Sequence, residues 1–401
     1  MGELKSTERD IVERAAAEPM LDQVLAWSAV NSGSRNLSGL ERMADLLADA
    51  FAALPGVLRL ENPAPVEVVD GAGKTAKIEH GRHLHLTVRP TAPVQLLLTG
   101  HMDTVYGAEH AFQQTKWLED GVLNGPGVAD MKGGLAVMLA ALKAVEKSRA
   151  AERIGYEVLI NSDEEVGSPA SAALLAQAAE GIRAALSYEP AALPDGTLAG
   201  ARPGSGNFSF VVRGRSAHAG RNPEDGRNAV VAASELALRL AMSKTPGLTI
   251  NPAKIDGGGP NNVVPDLAIL RVNMRPRTSD DQEIAGRLIA KALDETAKQH
   301  DVFIEAHGGF GRPPKPLTPE AEDLFNLVKK AGADLGQEIA WQPSGGVCDG
   351  NNIAACGVPV VDTMGVRGGK IHSMEEFLIV ESLAERAALS ALTILRLAEG
   401  A

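Results

Sequence analysis

The chain has 401 residues, of which 44% are hydrophobic and 3% aromatic, and a formal net charge of −12. This length favours two domains, and the acidic balance argues against nucleic acid or an anionic membrane surface as a partner, because both require a basic face on the protein. Cys348 and Cys356 are too few for a disulfide framework or a thiolate metal cluster.

Residues 1–10 are charged and lack the apolar core of a signal peptide, and no run elsewhere is long enough to span a membrane. We therefore expect a cytoplasmic protein. A chain from which a signal peptide had been removed would show the same sequence.

The N-terminal part of the chain is predicted to contain helices followed by strands. Apolar residues at helical spacing predict a helix over 11–31, with a break or a second start at Pro19. A second helix is predicted over 40–53, with Ser38 as the N-cap and Glu41 completing a capping box. Apolar or alternating runs then predict three strands, over 58–69, 83–88 and 94–99.

Three histidines, His80, His83 and His85, lie before or within the second of these strands. His83 and His85 alternate with leucines, and no acidic residue follows them at the spacing of a metal ligand. We therefore expect these histidines to occupy a solvated strand face rather than a metal site.

The strand over 94–99 delivers His101 and Asp103 to its end. In an extended backbone these side chains share one face, so the carboxylate can reach the imidazole. An imidazole that binds a metal needs its other ring nitrogen held by an acceptor, commonly a carboxylate. Taken alone, such a pair is more often part of an ordinary polar loop than a metal site.

Further acidic residues follow at intervals along the chain. Asp130 precedes two glycines and an apolar helix over 135–145, where it could simply cap that helix. The strand over 156–160 is followed by three successive carboxylates, which repel one another unless a positive charge lies among them; a solvated acidic turn is the alternative. The strand over 184–187 leads to Tyr188 and Glu189. Residues at the carboxyl ends of strands in an open α/β sheet can converge on one ligand.

The pattern of elements changes after Pro203 and Gly204 and changes back after Pro313 and Pro316. The intervening segment has the order βαββαβ of a small ferredoxin-like domain, and it is therefore predicted to be an α+β insertion. Its predicted elements are a strand over 207–212, a helix over 228–242, strands over 248–255 and 268–274, a helix over 280–297 and a strand over 302–307.

The last segment is predicted to return to the earlier style, with a helix over 320–332, a strand over 358–363, a Gly-rich loop that holds His372, and a closing helix over 381–397. The predicted domains are 1–203 for the first part of an α/β catalytic domain, 204–312 for the inserted domain, and 313–401 for the second part of the catalytic domain.

Five blocks of sequence carry a family resemblance, and they are residues 100–105, 125–134, 163–168, 188–190 and 371–373. In this order they resemble the M20 zinc metallopeptidases, and most closely their glutamate carboxypeptidase branch, of the carboxypeptidase G2 type. The resemblance implies a mixed-sheet α/β catalytic domain with a two-zinc site. It also implies that the inserted α+β domain is a lid that forms a homodimer.

The resemblance implies that Asp130 bridges the two metals, that His101 and Glu189 complete one site, and that Glu165 and His372 complete the other. Two imidazoles and three carboxylates without a thiolate suit two Zn²⁺ ions, with Co²⁺ or Mn²⁺ as substitutes. Three carboxylates leave one positive charge on two dications, which a bridging hydroxide would cancel.

By the same resemblance, Glu164 is the general base that takes a proton from the water and passes it to the leaving amine. Asp103 is implied as the partner of His101, in agreement with the spacing of the two residues. The family also carries a cis peptide bond after the bridging aspartate, so one is expected between Asp130 and Met131.

Three residues of the inserted domain resemble the family's substrate-binding positions. His218 resembles the histidine that reaches the active site of the other subunit and stabilises the oxyanion. Asn262 and Arg275 resemble residues that bind the free α-carboxylate of the substrate, and arginine is suited to this because it can form two parallel bonds to a carboxylate. Cys348 departs from the family, which has a small hydroxyl residue there, and this puts the side-chain specificity in doubt.

We therefore expect a hydrolase that cleaves the amide bond to a C-terminal amino acid, with glutamate-like residues as the leading candidates. Its substrate would be a small peptide or N-acyl amino acid with a free carboxylate. Glu189, where aminopeptidases of the family have Asp, favours carboxypeptidase-like and deacylase members over aminopeptidases. An N-acyl-amino-acid deacylase of the acetylornithine or succinyl-diaminopimelate type is the alternative. A non-catalytic small-molecule binding protein is a third hypothesis, which the intact Glu164 disfavours.

Overall fold

The computed structural model describes residues 4–243 and 245–400, so both extreme ends of the predicted catalytic domain lie outside the described residues. The chain divides into two compact units. The first unit comprises Met1–Ala64, Glu79–Ala201 and Leu317–Ala401, and the second comprises Pro65–Ile78 and Arg202–Pro316. Pro65–Ile78, which the sequence analysis placed in the catalytic domain, thus groups with the inserted segment.

The helices of the described chain are α1 (Ser6–Ala16), α2 (Met20–Ser28), α3 (Leu37–Phe51), α4 (Gly133–Val145), α5 (Ala172–Ala178), α6 (Ala229–Met242), α7 (Ser279–His300), α8 (Pro319–Asp334), α9 (Asp349–Ala355) and α10 (Glu381–Glu399). None of them combines the length and the apolar character needed to cross a membrane.

The strands of the described chain are β1 (Val57–Glu61), β2 (Val66–Val69), β3 (Thr75–Ile78), β4 (His83–Val88), β5 (Val94–His101), β6 (Lys116–Glu119), β7 (Val122–Asn124), β8 (Ile154–Asn161), β9 (Ala184–Ser187), β10 (Leu198–Ala199), β11 (Ser205–Arg213), β12 (Leu248–Gly257), β13 (Leu267–Pro276), β14 (Phe303–Arg312), β15 (Trp341–Gln342), β16 (Val360–Val361), β17 (Gly368–Gly369) and β18 (Phe377–Ile379).

The first unit is built on a six-stranded mixed sheet of order β1-β4-β8-β5-β9-β16. Strands β8, β5, β9 and β16 run parallel, whereas β1 and β4 are antiparallel to their neighbours. Helix α4 is buried along almost its whole length, because α1, α2 and α10 all pack on it. This is the mixed α/β architecture that the sequence predicted, and it gives the strand ends a rigid support.

The second unit has a four-stranded antiparallel sheet of order β12-β13-β11-β14, with α6 and α7 packed against it. This is the ferredoxin-like arrangement predicted from the βαββαβ pattern. The hairpin formed by β2 and β3 covers the other face, where Val69 packs against Val211 and Ile269. Because side chains alternate along a strand, Phe210 faces the helices while Val211 faces the hairpin.

Three local predictions were wrong, two that concern the limits of elements and one that concerns the histidines near β4. The predicted strand over 58–69 is two strands, β1 and β2, because Pro63 and Pro65 lie between them and cannot donate ladder hydrogen bonds. Helix α3 begins earlier than predicted, since the side chain of Asn36 accepts a hydrogen bond from the backbone N–H of Gly39 and takes the N-cap position that we assigned to Ser38.

The histidines near β4 do not form a solvated face. His80 and His83 are buried, and His83 Nδ1 lies 3.3 Å from the backbone N of Ser162, which closes over this end of the strand. His85 Nε2 lies 2.6 Å from a carboxylate oxygen of Glu157 on the neighbouring strand β8. The prediction failed because Ser162, which covers His83, and Glu157, which contacts His85, both lie far from these histidines in the sequence.

Candidate metal centre

The ends of three adjacent parallel strands bring the first group of site residues together. His101 is the last residue of β5 and pairs in register with Asn161, the last residue of β8. Glu164 and Glu165 begin a single helical turn just after β8, and Glu189 follows the end of β9. Because the carboxyl ends of parallel strands meet at one edge of a sheet, these side chains lie together.

Asp130 reaches this edge from an irregular turn that precedes α4. The peptide bond between Asp130 and Met131 is cis, as expected. A Cβ atom on Gly134 would lie 2.0 Å from the carbonyl oxygen of Tyr188, so only glycine allows α4 to approach the end of β9 this closely. The glycine thus allows Asp130 to lie beside the segment that carries Glu189.

His372 comes from the loop between β17 and β18. Its φ angle of 61° lies in the left-handed region, which is uncommon for residues other than glycine and recurs at functional sites. The imidazole is directed at the carboxylates, with Nε2 3.2 Å from Oδ2 of Asp130 and 3.1 Å from Oε2 of Glu165.

The two oxygens of Asp130 face two different imidazoles. Its Oδ1 lies 3.1 Å from Nε2 of His101, while its Oδ2 faces His372. Oε2 of Glu189 lies 3.7 Å from Nε2 of His101, on the first side, and Glu165 lies beside His372 on the second. The result is two sets of donors that share Asp130, each with one imidazole and one further carboxylate.

Glu164 lies at the first of these donor sets. Its carboxylate, the carboxylate of Glu189 and the imidazole of His101 have donor atoms within 4.8 Å of one another. The donor atoms of His101, Asp130 and Glu165 also meet within 4.8 Å. Glu164 and Glu165, which are neighbours in the chain, thus each place a carboxylate oxygen within this distance of a nitrogen of His101.

The electrostatics of the cluster depend on positive charge among the carboxylates. Burial, together with the charge of Asp130, raises the pKa of Glu165 to about 7. Hydrogen bonds to Asp130 and Glu165 raise the pKa of His372 to about 11. Burial lowers the pKa of His101, but the charge of Glu189 and hydrogen bonds that the ring donates to Asp103, Asp130 and Glu189 outweigh this effect and hold the pKa well above its ordinary value. Burial likewise opposes ionisation of Asp130, yet its hydrogen bonds to both imidazoles keep its pKa below the usual range.

The donor set fits a pair of divalent cations. Nearly buried carboxylates that face one another need a positive charge between them, and the two imidazoles can supply it only by binding protons. Cations can replace those protons, after which neutral imidazoles and carboxylates act as ligands. Nitrogen and oxygen donors without a thiolate suit zinc, cobalt or manganese.

Asp103 holds the turn that carries both glutamates. Its carboxylate accepts the backbone N–H groups of Glu164 and Glu165 at 3.1 and 3.2 Å, and the hydroxyl of Ser34 at 2.7 Å. Nδ1 of His101 lies 3.0 Å from the backbone oxygen of Asp103 and 3.5 Å from its carboxylate. The backbone carbonyl of Asp103 is thus the nearer partner of the His101 imidazole, while the carboxylate of Asp103 holds the turn that carries the two glutamates.

The sequence analysis did not identify two residues of this centre, Tyr106 and Glu376. The side chain of Glu376 is completely buried and accepts backbone N–H groups from the turn around Asp130. The hydroxyl of Tyr106 donates to it at 2.9 Å. The only local signal is an acidic residue shortly after His372 and just before the apolar strand β18.

The predicted substrate-binding residues lie in the second unit. His218 forms an antiparallel bridge with Val263, and the backbone N of Ala219 donates to the carbonyl of Asn262 at 3.0 Å, so the segments of His218 and Asn262 are neighbours. Arg275 is half-buried near the end of β13.

Cys348 and Cys356 are both free thiols. Cys348 is buried, immediately before α9, and its sulfur lies 3.5 Å from a carboxylate oxygen of Asp362. The neighbouring Asp349 accepts a hydrogen bond from Asn161 at the end of β8, at 2.7 Å. The position that departs from the family pattern is thus connected to the carboxyl edge of the sheet.

Comparisons with known proteins identify the family to which the chain belongs. Residues 97–396 match the sequence profile of peptidase family M20/M25/M40. The chain is 31% identical over 340 residues to carboxypeptidase G2 of Pseudomonas sp. (strain RS-16), covering 82% of this chain and 80% of that protein. It is 26% identical over 307 residues to succinyl-diaminopimelate desuccinylase of Hahella chejuensis, covering 72% and 78% of the two chains. The fold is similar to that of a tripeptidase from Staphylococcus aureus, with a TM-score of 0.72, 23% identity and coverage of 97% and 99%.

Proposed function

Because this chain belongs to peptidase family M20/M25/M40 and is a hydrolase, we propose that it cleaves the amide bond to the nitrogen of a C-terminal amino acid with the help of two divalent cations. The observation that carries this proposal is the shared carboxylate of Asp130, whose two oxygens face the separate donor sets of His101 and His372.

In this proposal His101, Asp130 and Glu189 would hold one cation, and Asp130, Glu165 and His372 would hold the other. Zn²⁺ is the leading candidate for both, because the donor set is its usual one. When bound, cations of this kind polarise a carbonyl oxygen and acidify a water molecule. The bound charge also replaces the protons that the two imidazoles would otherwise need.

Glu164 is proposed as the general base. Its carboxylate lies beside the first donor set, and Asp103 fixes its backbone through the N–H group. From this position Glu164 can accept a proton from the attacking water and return it to the nitrogen of the leaving amine. Such a role needs a base that is held in place and still reached by water, and Glu164 is only partly buried.

His218 is proposed to donate a hydrogen bond to the oxyanion, in the active site of a second copy of the chain. Its Nδ1 accepts the backbone N–H groups of Gly220 and Arg221 at 3.1 and 3.2 Å. A neutral ring then carries its proton on Nε2, which suits a hydrogen-bond donor. The exposure of His218 on its own unit is compatible with this role.

Arg275 and Asn262 are proposed to bind the free carboxylate of the substrate. Nε of Arg275 donates to the side-chain oxygen of Asn273 at 3.2 Å, and the side-chain nitrogen of Asn273 donates to the hydroxyl of Ser205 at 3.1 Å. These contacts limit the freedom of the Arg275 side chain. A guanidinium held in this way can bind a carboxylate with two parallel bonds at low cost in entropy.

The homodimer is proposed to form through the second unit. Val231, Leu238 and Met242 on α6 are 51%, 59% and 83% exposed, and their spacing places them on one side of the helix. An exposed apolar stripe of this kind is typical of an interaction surface.

An N-acyl-amino-acid deacylase is the second candidate, because relatives at 26% to 27% identity are named succinyl-diaminopimelate desuccinylases. Both reactions break an amide bond and can use the same cations and base. They differ in the acyl group and in the amino acid released.

A substrate panel combined with metal analysis tests the proposal. Dipeptides and N-acyl amino acids, each with a free or an amidated C-terminus, are incubated with the purified protein before and after removal of metal by a chelator. We expect two divalent cations per chain, hydrolysis of substrates with a free C-terminal glutamate, and loss of activity after chelation. Hydrolysis that does not depend on a free carboxylate would contradict the role of Arg275 and Asn262, while preference for succinylated diamino acids would favour the second candidate.

A further inference from the structure

The buried carboxylate of Glu376 makes four hydrogen bonds. Its Oε1 accepts the backbone N–H groups of Ala129 and Asp130 at 3.0 and 3.1 Å. Its Oε2 accepts the backbone N–H of Gly127 at 3.2 Å and the hydroxyl of Tyr106 at 2.9 Å. The carboxylate therefore fixes three points of the turn that presents Asp130.

The same two side chains connect this turn to two other segments that carry site residues. Glu376 follows His372 in the loop between β17 and β18, and the hydroxyl of Tyr106 also lies 2.8 Å from the backbone oxygen of Ser373. Tyr106 itself follows His101 and Asp103 in the segment after β5. The segments after β5, before α4 and after β17 thus meet at one pair of side chains.

Burial of the Glu376 carboxylate has an energetic cost, because it removes the charge from water. Its side chain is completely buried, and the charge of the buried Lys132 acts on it, although among the described residues no lysine, arginine or histidine lies within ion-pair distance of its carboxylate. Backbone N–H groups and one hydroxyl are its hydrogen-bond partners, and a buried carboxylate with such partners still loses much of its hydration energy. An apolar side chain could fill the space, but it could not hold three N–H groups of one turn in a fixed direction.

We propose that Glu376, assisted by Tyr106, is a positioning residue for the cation pair: it sets the orientation of Asp130 relative to His101 and His372. The inference rests on the proposed function, because it assumes that Asp130 is the shared ligand. Removal of one hydrogen-bond partner of a metal ligand typically weakens metal binding by about 10- to 100-fold. The effect of losing Glu376 should therefore appear in cation binding.

Replacement of Glu376 by glutamine tests the proposal. Glutamine has nearly the same shape, but one carboxylate oxygen becomes an NH₂ group that must face N–H or O–H donors, so one pair of contacts is lost. The metal-free form of the full chain is titrated with Co²⁺, and the visible absorption of the bound cobalt reports the coordination geometry of each ion. We expect Glu376→Gln to bind at least one Co²⁺ about 10- to 100-fold more weakly, with an altered spectrum.

Two further glutamates provide matched controls. Glu375→Gln changes the neighbouring exposed carboxylate of the same loop, and Glu8→Gln removes a buried carboxylate that pairs with Arg396 away from the centre. Both should keep the cobalt affinity and spectrum of the parent, although Glu8→Gln lowers the melting temperature. If Glu376→Gln behaves like Glu8→Gln, with lower thermal stability and unchanged cobalt binding, Glu376 has only a structural role and the proposal is overturned.

Tyr106→Phe covers the case in which Glu376→Gln does not fold. It removes a single hydroxyl, so we expect a smaller loss of Co²⁺ affinity in the same direction, and Tyr156→Phe, which removes a buried hydroxyl paired with Glu146, should leave it unchanged. Equal cobalt affinities for the two tyrosine variants would overturn the proposal. A parent chain that binds no Co²⁺ would instead contradict the proposed function itself, before any variant is compared.

Discussion

At the carboxyl edge of the central sheet, Asp103, Asp130 and Glu376 are almost completely buried. On the helices of the second unit, charged residues lie at the surface, as in the pair between Arg239 and Glu295, whose side chains are 26% and 43% exposed. The first unit therefore gives up hydration of these carboxylates to gather them at one place, whereas the helices of the second unit keep their charges at least partly exposed to water. We infer that the carboxylates buried at this sheet edge serve chemistry and that the charges of the helices serve mainly solubility.

Glu164→Gln is expected to have the largest effect, and it tests whether the carboxylates gathered at the sheet edge of the first unit serve chemistry. Loss of a general base typically lowers the rate by about 10²- to 10⁴-fold, so we expect kcat to fall in that range while the cation content stays at the value of the parent. Steady-state kinetics and metal analysis of the same preparation check both expectations. Glu180→Gln, at an exposed site, is the control, and a Glu164 variant with the rate of the parent would exclude the proposed base.

A pair of core substitutions, one in each unit, tests whether a loss of stability is accompanied by weaker cation binding. Leu98 on β5 and Leu236 on α6 are both completely buried, and each change to alanine should cost about 2–5 kcal/mol of stability. Only Leu98→Ala should also weaken Co²⁺ binding, because β5 positions His101. Urea denaturation and cobalt titration measure the two quantities, and equal loss of cobalt affinity in both variants would contradict the comparison.

The buried His83 makes the stability of the first unit depend on pH. Burial lowers its pKa from 6.5 to about 4, so between these values the unfolded chain binds more protons than the folded chain. Its contribution to stability is complete above pH 6.5 and is lost as the pH falls towards 4, by about 3 kcal/mol in all.

His83→Asn keeps a hydrogen-bond acceptor for Ser162 but removes the titrating ring. The free energy of unfolding of the parent minus that of the variant, measured with a chelator present, should therefore decrease as the pH falls from 6.5 towards 4. His307→Asn, at a half-buried histidine of the second unit, provides the comparison. A difference that stays constant with pH would show that His83 does not titrate in this way.

The smallest effect is expected from the surface charges of the second unit. Glu295→Gln breaks the contact of 2.7 Å with Arg239, and such partly exposed pairs contribute less than about 1 kcal/mol. Thermal unfolding at low and high salt measures the change. A loss of several kcal/mol would mean that the helices of the second unit depend on charge as much as the sheet edge of the first does.

The second unit was predictable from sequence because its signals are local. The alternating strand β11 and the helix α7, with its capping box at Thr278, each show their own period, and the order of such elements defines a ferredoxin-like topology. In the first unit, the very short strands β17 and β18 gave no such signal, although they flank the loop of His372.

The site was predictable in its residue types but not in its supporting contacts. Motifs identified Asp130 and its partners, while their convergence required the sheet order that places β8, β5 and β9 side by side. Glu376 and the burial of His83 were missed because each depends on a segment far away in the sequence. Local patterns report what a residue can do, and only tertiary structure determines what surrounds it.

The position of His372 in the chain has a consequence for biosynthesis. The imidazole that completes the second donor set is made after the whole of the second unit, whereas His101 and Asp130 are made before it. A nascent polypeptide that has not yet been extended past His372 therefore has an incomplete centre. Under the proposed function, a product terminated before His372 would be inert, because the second donor set would lack its imidazole.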